Sequence, residues 1–434
     1  MKIKSYGILV FLLYTFYHWY LVMKWFFEEA PNYHVMHRTL PLMQYLQGLT
    51  PTLQPPRYNF YGPSFYLTVH PLVLLSHFNT TFYQFYLLYP AVIALVGILA
   101  MAFFHYSKDL SLSNKVVVVC LLLNFQPLIT IFQTVVPELW ETAFILLAIL
   151  LYRRHLHFFS GFCLAFASLM KLYPLVIIAV FLLIQRKVFF WSLVHLAILL
   201  LMGQMAYGWD MGFGYVAHLL SRSSSLEASD ALLNYNIHFW ENVSINVTLM
   251  KILSHFKSTP EGNIIFPDKS LVPVVNTIYL VVVALAFLGL TILYSQTWKK
   301  LKSQNPRFLE DFWISIGCLF VLLFGPHVAW ELMVLSLPAS LLLLRYIKDF
   351  KNRYLIAALS IYLILTGIII PFSIFLKLTR FNDIVLYFLP QVGTRGFSEI
   401  YKFMGVPSLG LISLAVCWFL LLQKFLKSPQ KYIG

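Results

Sequence analysis

Lys171 lies where a charge is expensive. It belongs to Ser168-Leu169-Met170-Lys171-Leu172-Tyr173-Pro174-Leu175, inside an apolar stretch that otherwise runs from Phe158 to Ile184. A charge held at membrane depth costs about 2.5–3.5 kcal/mol on insertion scales, so its presence points to function. Pro174, three residues on, lacks an amide hydrogen and clashes with the preceding turn, which predicts a helix break there. Irregular backbone at that depth is tolerated where it lines a polar cavity, and an ammonium in such a cavity suits an anion. The alternative is a lysine that snorkels to an interface. Carboxylates form a second set. Glu138, Glu141 and Glu331 stand at the ends of apolar runs, where desolvation makes an idle acid costly, and Glu28 and Glu29 close the first run. Together they point to a polar cavity open to the outer side. His34, His37 and His70 have no clear metal-ligand spacing, and each alone reads as structural.

These residues need a membrane scaffold. The 434 residues are 60% hydrophobic and only 11% charged, and several apolar runs reach the roughly 20 residues that cross a bilayer. Long uninterrupted runs exclude a β-barrel, whose strands would alternate in stretches of about ten. The fold class is therefore an all-α polytopic membrane protein. The net charge of +14 is dispersed over short loops, as an insertion signal is, which argues against a nucleic-acid partner. Cys120, Cys163, Cys318 and Cys417 all fall in apolar segments and read as small buried residues. The first run follows Lys2 and Lys4 without a small-x-small site and reads as an uncleaved signal anchor.

Candidate spans are Tyr6–Phe26, Phe82–Phe104, Val116–Phe132, Leu139–Tyr152, Phe158–Met170, Leu175–Ile184, Val188–Ala206, Leu271–Tyr294, Phe312–Phe324, Trp330–Leu344, Tyr354–Phe375 and Leu409–Leu422. Basic loop residues belong on the cytoplasmic side. The basic groups, among them Arg153/Arg154, Arg186/Lys187, Lys299/Lys300/Lys302 and Arg345/Lys348, all come out inside under two conditions. Pro63–Phe78 must lie at the outer interface, and Phe158–Ile184 must turn back at Lys171–Pro174. The result is about twelve spans with both termini inside, and Lys171 on the outer side.

Two large outer loops follow, about 28–78 and 209–270, within one integral membrane domain over 1–434. In the second, Tyr215–Leu220 and Asn242–Phe256 have the apolar spacing of interfacial helices, which suits a lipid substrate.

Four separated stretches resemble the C-type glycosyltransferases that use polyprenyl-phosphate sugars, above all the polyprenol-phosphate-mannose-dependent family, glycosyltransferase family 87. Tyr58-Asn59-Phe60-Tyr61-Gly62-Pro63-Ser64-Phe65 with Pro71-Leu72 is similar to the family's Phe-x-Tyr-Pro-Pro-x-Phe and Pro-Leu element. Lys171-Leu172-Tyr173-Pro174 matches its Lys-x-Tyr-Pro segment, with Arg186/Lys187 following. Glu241-Asn242-Val243-Ser244-Ile245 resembles its Asn-x-Ser-Leu signature. Gly325-Pro326-His327-Val328-Ala329-Trp330-Glu331 is similar to its Ser-Pro-x-Ser-Trp-(Asp/Glu)-His motif. The order of the four, over roughly Asn32 to Leu344, adds specificity that none has alone.

The resemblance implies a C-type bundle and an inverting, metal-independent hexosyltransferase without a resident cofactor. Its donor would be a polyprenyl-phosphate sugar, with mannose expected, and its acceptor a glycan or glycolipid on the non-cytoplasmic face (of the plasma or inner membrane in a bacterium). Donor phosphate would meet Lys171, Tyr173, Arg38 or Arg57. Sugar or acceptor would meet Trp330, Glu331, His327, Asn242, Ser244 or Glu138. The family's catalytic Asp falls at Asn32 here, and an amide is no base. Glu28 or Glu29 takes that role, or another outer carboxylate such as Glu138 or Glu331 does, or the chain binds a polyprenyl-phosphate sugar without turning it over. The His expected after Trp330-Glu331 is Leu332, with His327 nearby, and the element's second Pro is Gly62, a change expected to affect backbone stiffness more than chemistry. A secondary transporter or lipid-carrier flippase also breaks helices near charge, although no second copy of the large loops is visible.

Overall fold

A computed structural model of the chain describes residues 5–28, 40–50, 53, 62–125, 127–129, 138–216, 244–245, 248–249, 257–258, 264–265, 271–325, 330–346, 353–367 and 406–427. These residues are helical almost throughout. One antiparallel pair, β1 (Lys257–Ser258) with β2 (Ile264–Ile265), is two residues per strand and too short to change the class. Among the described residues, four helical stretches are long and apolar enough to cross a membrane: Tyr86–Tyr106, Arg186–Tyr207, Pro273–Gln304 and Val406–Lys427. The chain packs into two compact units, Met1–Asn124 with Leu128–Ser229, and Phe125–Pro127 with Asp230–Gly434.

The first unit holds α1 (Ser5–Glu28), α2 (Leu40–Leu46), α3 (Pro63–Leu75), α4 (Tyr89–Tyr106, entered through a π-helical stretch at Tyr83–Leu88) and α5 (Leu112–Leu123). The run expected as one span over Val116–Phe132 is interrupted. Its helix stops at Asn124, whose side-chain amide donates to the Cys120 carbonyl and to Thr15 Oγ1 of α1, both at 2.8 Å. An asparagine that bonds the preceding turn competes with the helix ladder, and helical backbone returns at 127–129, where Pro127 stands in a first turn that needs no amide hydrogen.

Four further helices complete this unit: α6 (Glu138–Arg153), α7 (His157–Ser168), α8 (Leu175–Ile184) and α9 (Arg186–Tyr207). α6 and α7 form a tight antiparallel hairpin. Its turn places His155 in the left-handed region at φ 60°, and the Ser160 hydroxyl donates to the Ala148 carbonyl at 2.9 Å. α7 and α9 run parallel. Phe158 meets Trp191 at 4.9 Å between ring centroids, Phe162 meets His195 at 5.6 Å, and Ala165 and Leu169 pack on Leu199 and Leu200. Between them α8 runs back, so the chain reverses at Leu169–Pro174 as the proline led us to expect. Lys187 accordingly bears electrostatically on His157, at the opposite end of α7 from Lys171.

The second unit holds α10 (Leu271–Gln304), α11 (Pro306–Phe324), a 3-10 turn at Trp330–Ser336 running into α12 (Leu337–Leu344), α13 (Arg353–Gly367) and α14 (Val406–Lys427). α13 and α14 approach closely at Gly410, where an added Cβ would stand 2.6 Å from the Thr366 methyl. Small residues at such a crossing let two helices pack where lipid offers no hydrophobic gain. The Ser413 hydroxyl donates across it to the Ala358 carbonyl at 2.7 Å. On α11, Phe308 stacks on Phe425 with centroids 4.0 Å apart. Asp311 is fully buried and accepts from Arg345 Nη1 at 2.9 Å and from the Tyr346 hydroxyl at 2.7 Å. All four cysteines are buried and free.

Candidate functional site

The site begins with the chain reversal. α7 ends at Ser168, and Leu169, Met170 and Lys171 fold their amides back onto the carbonyls of Ala165 and Ala167 at 3.0–3.4 Å. Pro174 caps α8 at φ −65°, where its missing amide hydrogen costs nothing because a first-turn amide has no helical partner. Lys171 and Tyr173 are thereby held on a short turn between two helix ends, both half-buried.

The Lys171 ammonium does not reach for solvent. It forms an ion pair with Glu138 Oε1, the first residue of α6, with side chains only 16% and 4% exposed. A carboxylate at a helix N-terminus is favoured by the macrodipole by about 0.3–1 kcal/mol. Desolvating both partners costs several kcal/mol each, so a buried pair is weak evidence for stability and stronger evidence for a fixed geometry. Glu141 lies three residues further and therefore on the same face of α6. It is fully buried, neither carboxylate oxygen has a hydrogen-bond partner among the described residues, and it lies within electrostatic reach of Glu138 and Lys171.

Two more segments close on this turn. The Gly62 N–H donates to the Met170 carbonyl at 2.9 Å and the Ser64 N–H to the Leu169 carbonyl at 3.3 Å. A Cβ at position 62 would stand 2.1 Å from the Leu169 carbonyl oxygen. Gly62 is thus set by a close backbone approach and a required donor, which adds a steric reason to the expected change in stiffness. Pro63 packs into α9 at Gly203, where a Cβ would stand 2.6 Å from the proline ring. Tyr215, after α9, is buried against Gly62. Burial, with Glu141 and Tyr66 adding, pushes its hydroxyl above the ordinary range, so it stays a hydrogen-bond donor. Nearby, the Tyr207 hydroxyl donates to the Tyr66 carbonyl at 3.0 Å and lies 2.7 Å from His70 Nδ1.

The arrangement offers an ammonium that can meet an anion, a carboxylate beside it, and neutral donors around both. Of the residues expected at the site from sequence, the structure joins Lys171 and Glu138 directly, with Tyr173 on the same turn. Glu138, expected at the sugar or acceptor, has the expected phosphate ligand Lys171 as its neighbour. Glu28 ends α1 with an exposed side chain. Ser244 is buried in the second unit, its carbonyl accepting from the Thr248 amide at 2.9 Å. Trp330 and Glu331 open the 3-10 turn before α12, their side chains lying outside what is described. Glu29, Asn32, Arg38, Arg57, Asn242 and His327 also lie outside the described residues. Glu141 and Tyr215 had no assigned role; the spacing of Glu141 from Glu138 was the available signal for one, and nothing local marks the other.

The model of glycosyltransferase family 87 matches residues 59–326, more than half of the chain. That stretch contains Gly62, Glu138, Glu141, Lys171, Tyr173 and Tyr215. No curated protein and no solved structure matches. With an apolar helical scaffold and a buried ammonium–carboxylate pair at a helix break, the chain belongs to glycosyltransferase family 87 and is a membrane glycosyltransferase.

Proposed function

We propose that this glycosyltransferase moves a hexose, mannose foremost, from a polyprenyl phosphate carrier to a hydroxyl of a glycan or glycolipid on the non-cytoplasmic face of a multi-pass bundle. The observation that carries the reading is Lys171, an ammonium kept near membrane depth on the turn between α7 and α8. A glycosyl phosphate leaves as an anion, so it needs positive charge at the phosphate more than a strong acid. Lys171 supplies that charge and Tyr173 a hydroxyl donor. The bond from the sugar C1 to the phosphate oxygen breaks with its electron pair going to the phosphate. The acceptor oxygen bonds C1 from the opposite face, and its proton passes to a carboxylate, giving inversion without a metal. The reversal supports this side: Arg186 and Lys187 start α9 at the far end from Lys171, and basic loops favour the cytoplasm.

The test uses purified protein in nanodiscs with radiolabelled polyprenyl-phosphate mannose. Label passed to sugar acceptors or released to water, and lost in Lys171→Ala, is expected. Donor that binds but is neither transferred nor hydrolysed overturns the catalytic reading in favour of a sugar-carrier-binding relative. Turnover that survives Lys171→Ala removes Lys171 from the phosphate.

A further inference from the structure

We propose that the end of the α6–α9 helices opposite Lys171 is a second binding site, for the phosphodiester headgroup of an anionic phospholipid. The proposal goes beyond the sugar transfer and does not depend on its donor. Two turns come together at this end. The one from α6 into α7 carries Arg153, Arg154, His155 and His157, and the one from α8 into α9 carries Arg186 and Lys187. Lys187 bears electrostatically on His157, and the His155 and His157 rings stand 6.1 Å apart. Arg154, Arg186 and Lys187 are exposed, with no carboxylate partner among the described residues. The acids of this stretch, Glu138, Glu141 and Asp210, all lie at its other end.

The backbone adds to the same field. α7 starts at His157 and α9 at Arg186, and neither start has a side-chain cap: Leu156 and Gln185 hold those positions without a capping bond. First-turn amides have no partner within their helix, and with the macrodipole they make a ready anion site. His157 Nδ1 is buried without a hydrogen-bond partner among the described residues. Like charges gathered beside two uncapped, parallel helix starts repel one another, and an anion relieves that repulsion.

The occupant is a lipid because apolar rings flank the charges. Phe158, Phe159 and Phe190 are exposed on the first turns of α7 and α9, and Phe158 meets Trp191 at 4.9 Å between centroids. Aromatic rings at a membrane interface lie at headgroup level, and basic residues beside them reach the lipid phosphate. Positive residues mark the cytoplasmic side, so the lipid is one of that leaflet. Insertion by itself asks only for positive charge in the loops, and acids contribute little to it. It explains neither the uncapped amides nor the segregation of every acid of α6–α9 to the far end.

The test titrates the full-length protein in neutral detergent with phosphatidylglycerol, phosphatidylcholine or inorganic phosphate. Native mass spectrometry counts retained lipid, and the rise in unfolding midpoint reports binding of all three probes. Phosphatidylglycerol is expected to bind about tenfold or more tighter than phosphatidylcholine, and the triple variant Arg154→Gln/Arg186→Gln/Lys187→Gln to lose about that factor. Lys299→Gln/Lys302→Gln/Lys427→Gln removes the same charge at the ends of α10 and α14, and is expected to keep the tight binding. Leu156→Asp supplies α7 with a carboxylate cap that competes for its amides. It is expected to raise the midpoint without lipid and to weaken phosphatidylglycerol binding, and it keeps the proposal testable should the triple variant fail to fold. Phosphatidylglycerol binding unchanged in the folded variants at this end overturns the proposal. An equal loss in the Lys299/Lys302/Lys427 variant overturns it too, because net charge alone would then be at work. Inorganic phosphate bound as tightly as the lipid overturns the lipid assignment in favour of a soluble anion.

Discussion

Gly62 and Met170 join two distant segments by one backbone hydrogen bond, the glycine amide donating to the Met170 carbonyl at 2.9 Å. This bond seats the start of α3 on the turn that carries Lys171. The neighbouring Leu169 carbonyl oxygen would lie 2.1 Å from a Cβ at position 62, a clash with backbone that no rotamer relieves. Gly62→Ala is expected to cost about 1–3 kcal/mol, the usual penalty of overpacking, and to lower turnover by shifting the turn. Gly97→Ala is the control, because an added methyl there meets nothing within 4 Å. Thermal unfolding in detergent checks the pair: a lower midpoint for position 62 alone is expected, and equal midpoints would refute the close approach.

The Lys171–Glu138 pair predicts strong non-additivity. Lys171→Met takes the ammonium away from a buried carboxylate, and breaking a buried pair from one side costs about 3–5 kcal/mol. Glu138→Gln together with Lys171→Met removes both charges and is expected to be more stable than Lys171→Met alone. A double-mutant cycle on unfolding midpoints measures this. Additive losses would mean that the two side chains do not interact in the folded protein.

What the sequence disclosed about this region followed from local rules. Pro174 after a charged residue announced a break, and α7 and α8 end and begin where proline chemistry requires. The cost of burying Lys171 announced a polar environment. Neither rule names a partner: Glu138 lies 33 residues away, and only the packing of α6 on α7 brings it to the turn. Gly62 shows the same limit, since a glycine in a sequence says that a side chain is absent and not what stands in its place. The expected span over Val116–Phe132 is interrupted for a local reason, a side-chain amide at Asn124 that bonds backward and across to Thr15. Arg345 reads from the sequence as a loop charge on the cytoplasmic side, and the packing of the second unit supplies its partner, Asp311.

That second pair yields a prediction about stability alone. Asp311 is fully buried between Arg345 and the Tyr346 hydroxyl, tying α11 to the end of α12. Asp311→Asn keeps the shape but takes the carboxylate charge away from the guanidinium, with an expected loss of about 3–5 kcal/mol. Turnover per folded molecule is expected to stay at the wild-type value, because the pair belongs to the second unit and Lys171 to the first. Turnover lost at full stability would instead give Asp311 a part in the reaction.

The side of the membrane on which Lys171 acts is open to direct labelling. α7 and α9 run parallel with α8 returning between them, so Tyr173 and Lys187 stand at opposite ends of these helices. Positive residues mark the cytoplasmic side, which assigns Lys187 inside and Tyr173 outside. The four native cysteines are buried, so a membrane-impermeant maleimide should meet a low background. Tyr173→Cys is expected to label in intact cells, and to be protected by polyprenyl phosphate when that lipid is added to the purified protein. Lys187→Cys, at an exposed position, is expected to label only after permeabilisation. Labelling of both from one side would contradict the reversal at Leu169–Pro174. Labelling of Tyr173→Cys from the cytosol alone would keep the hairpin and invert the bundle, placing the transfer on the cytoplasmic face.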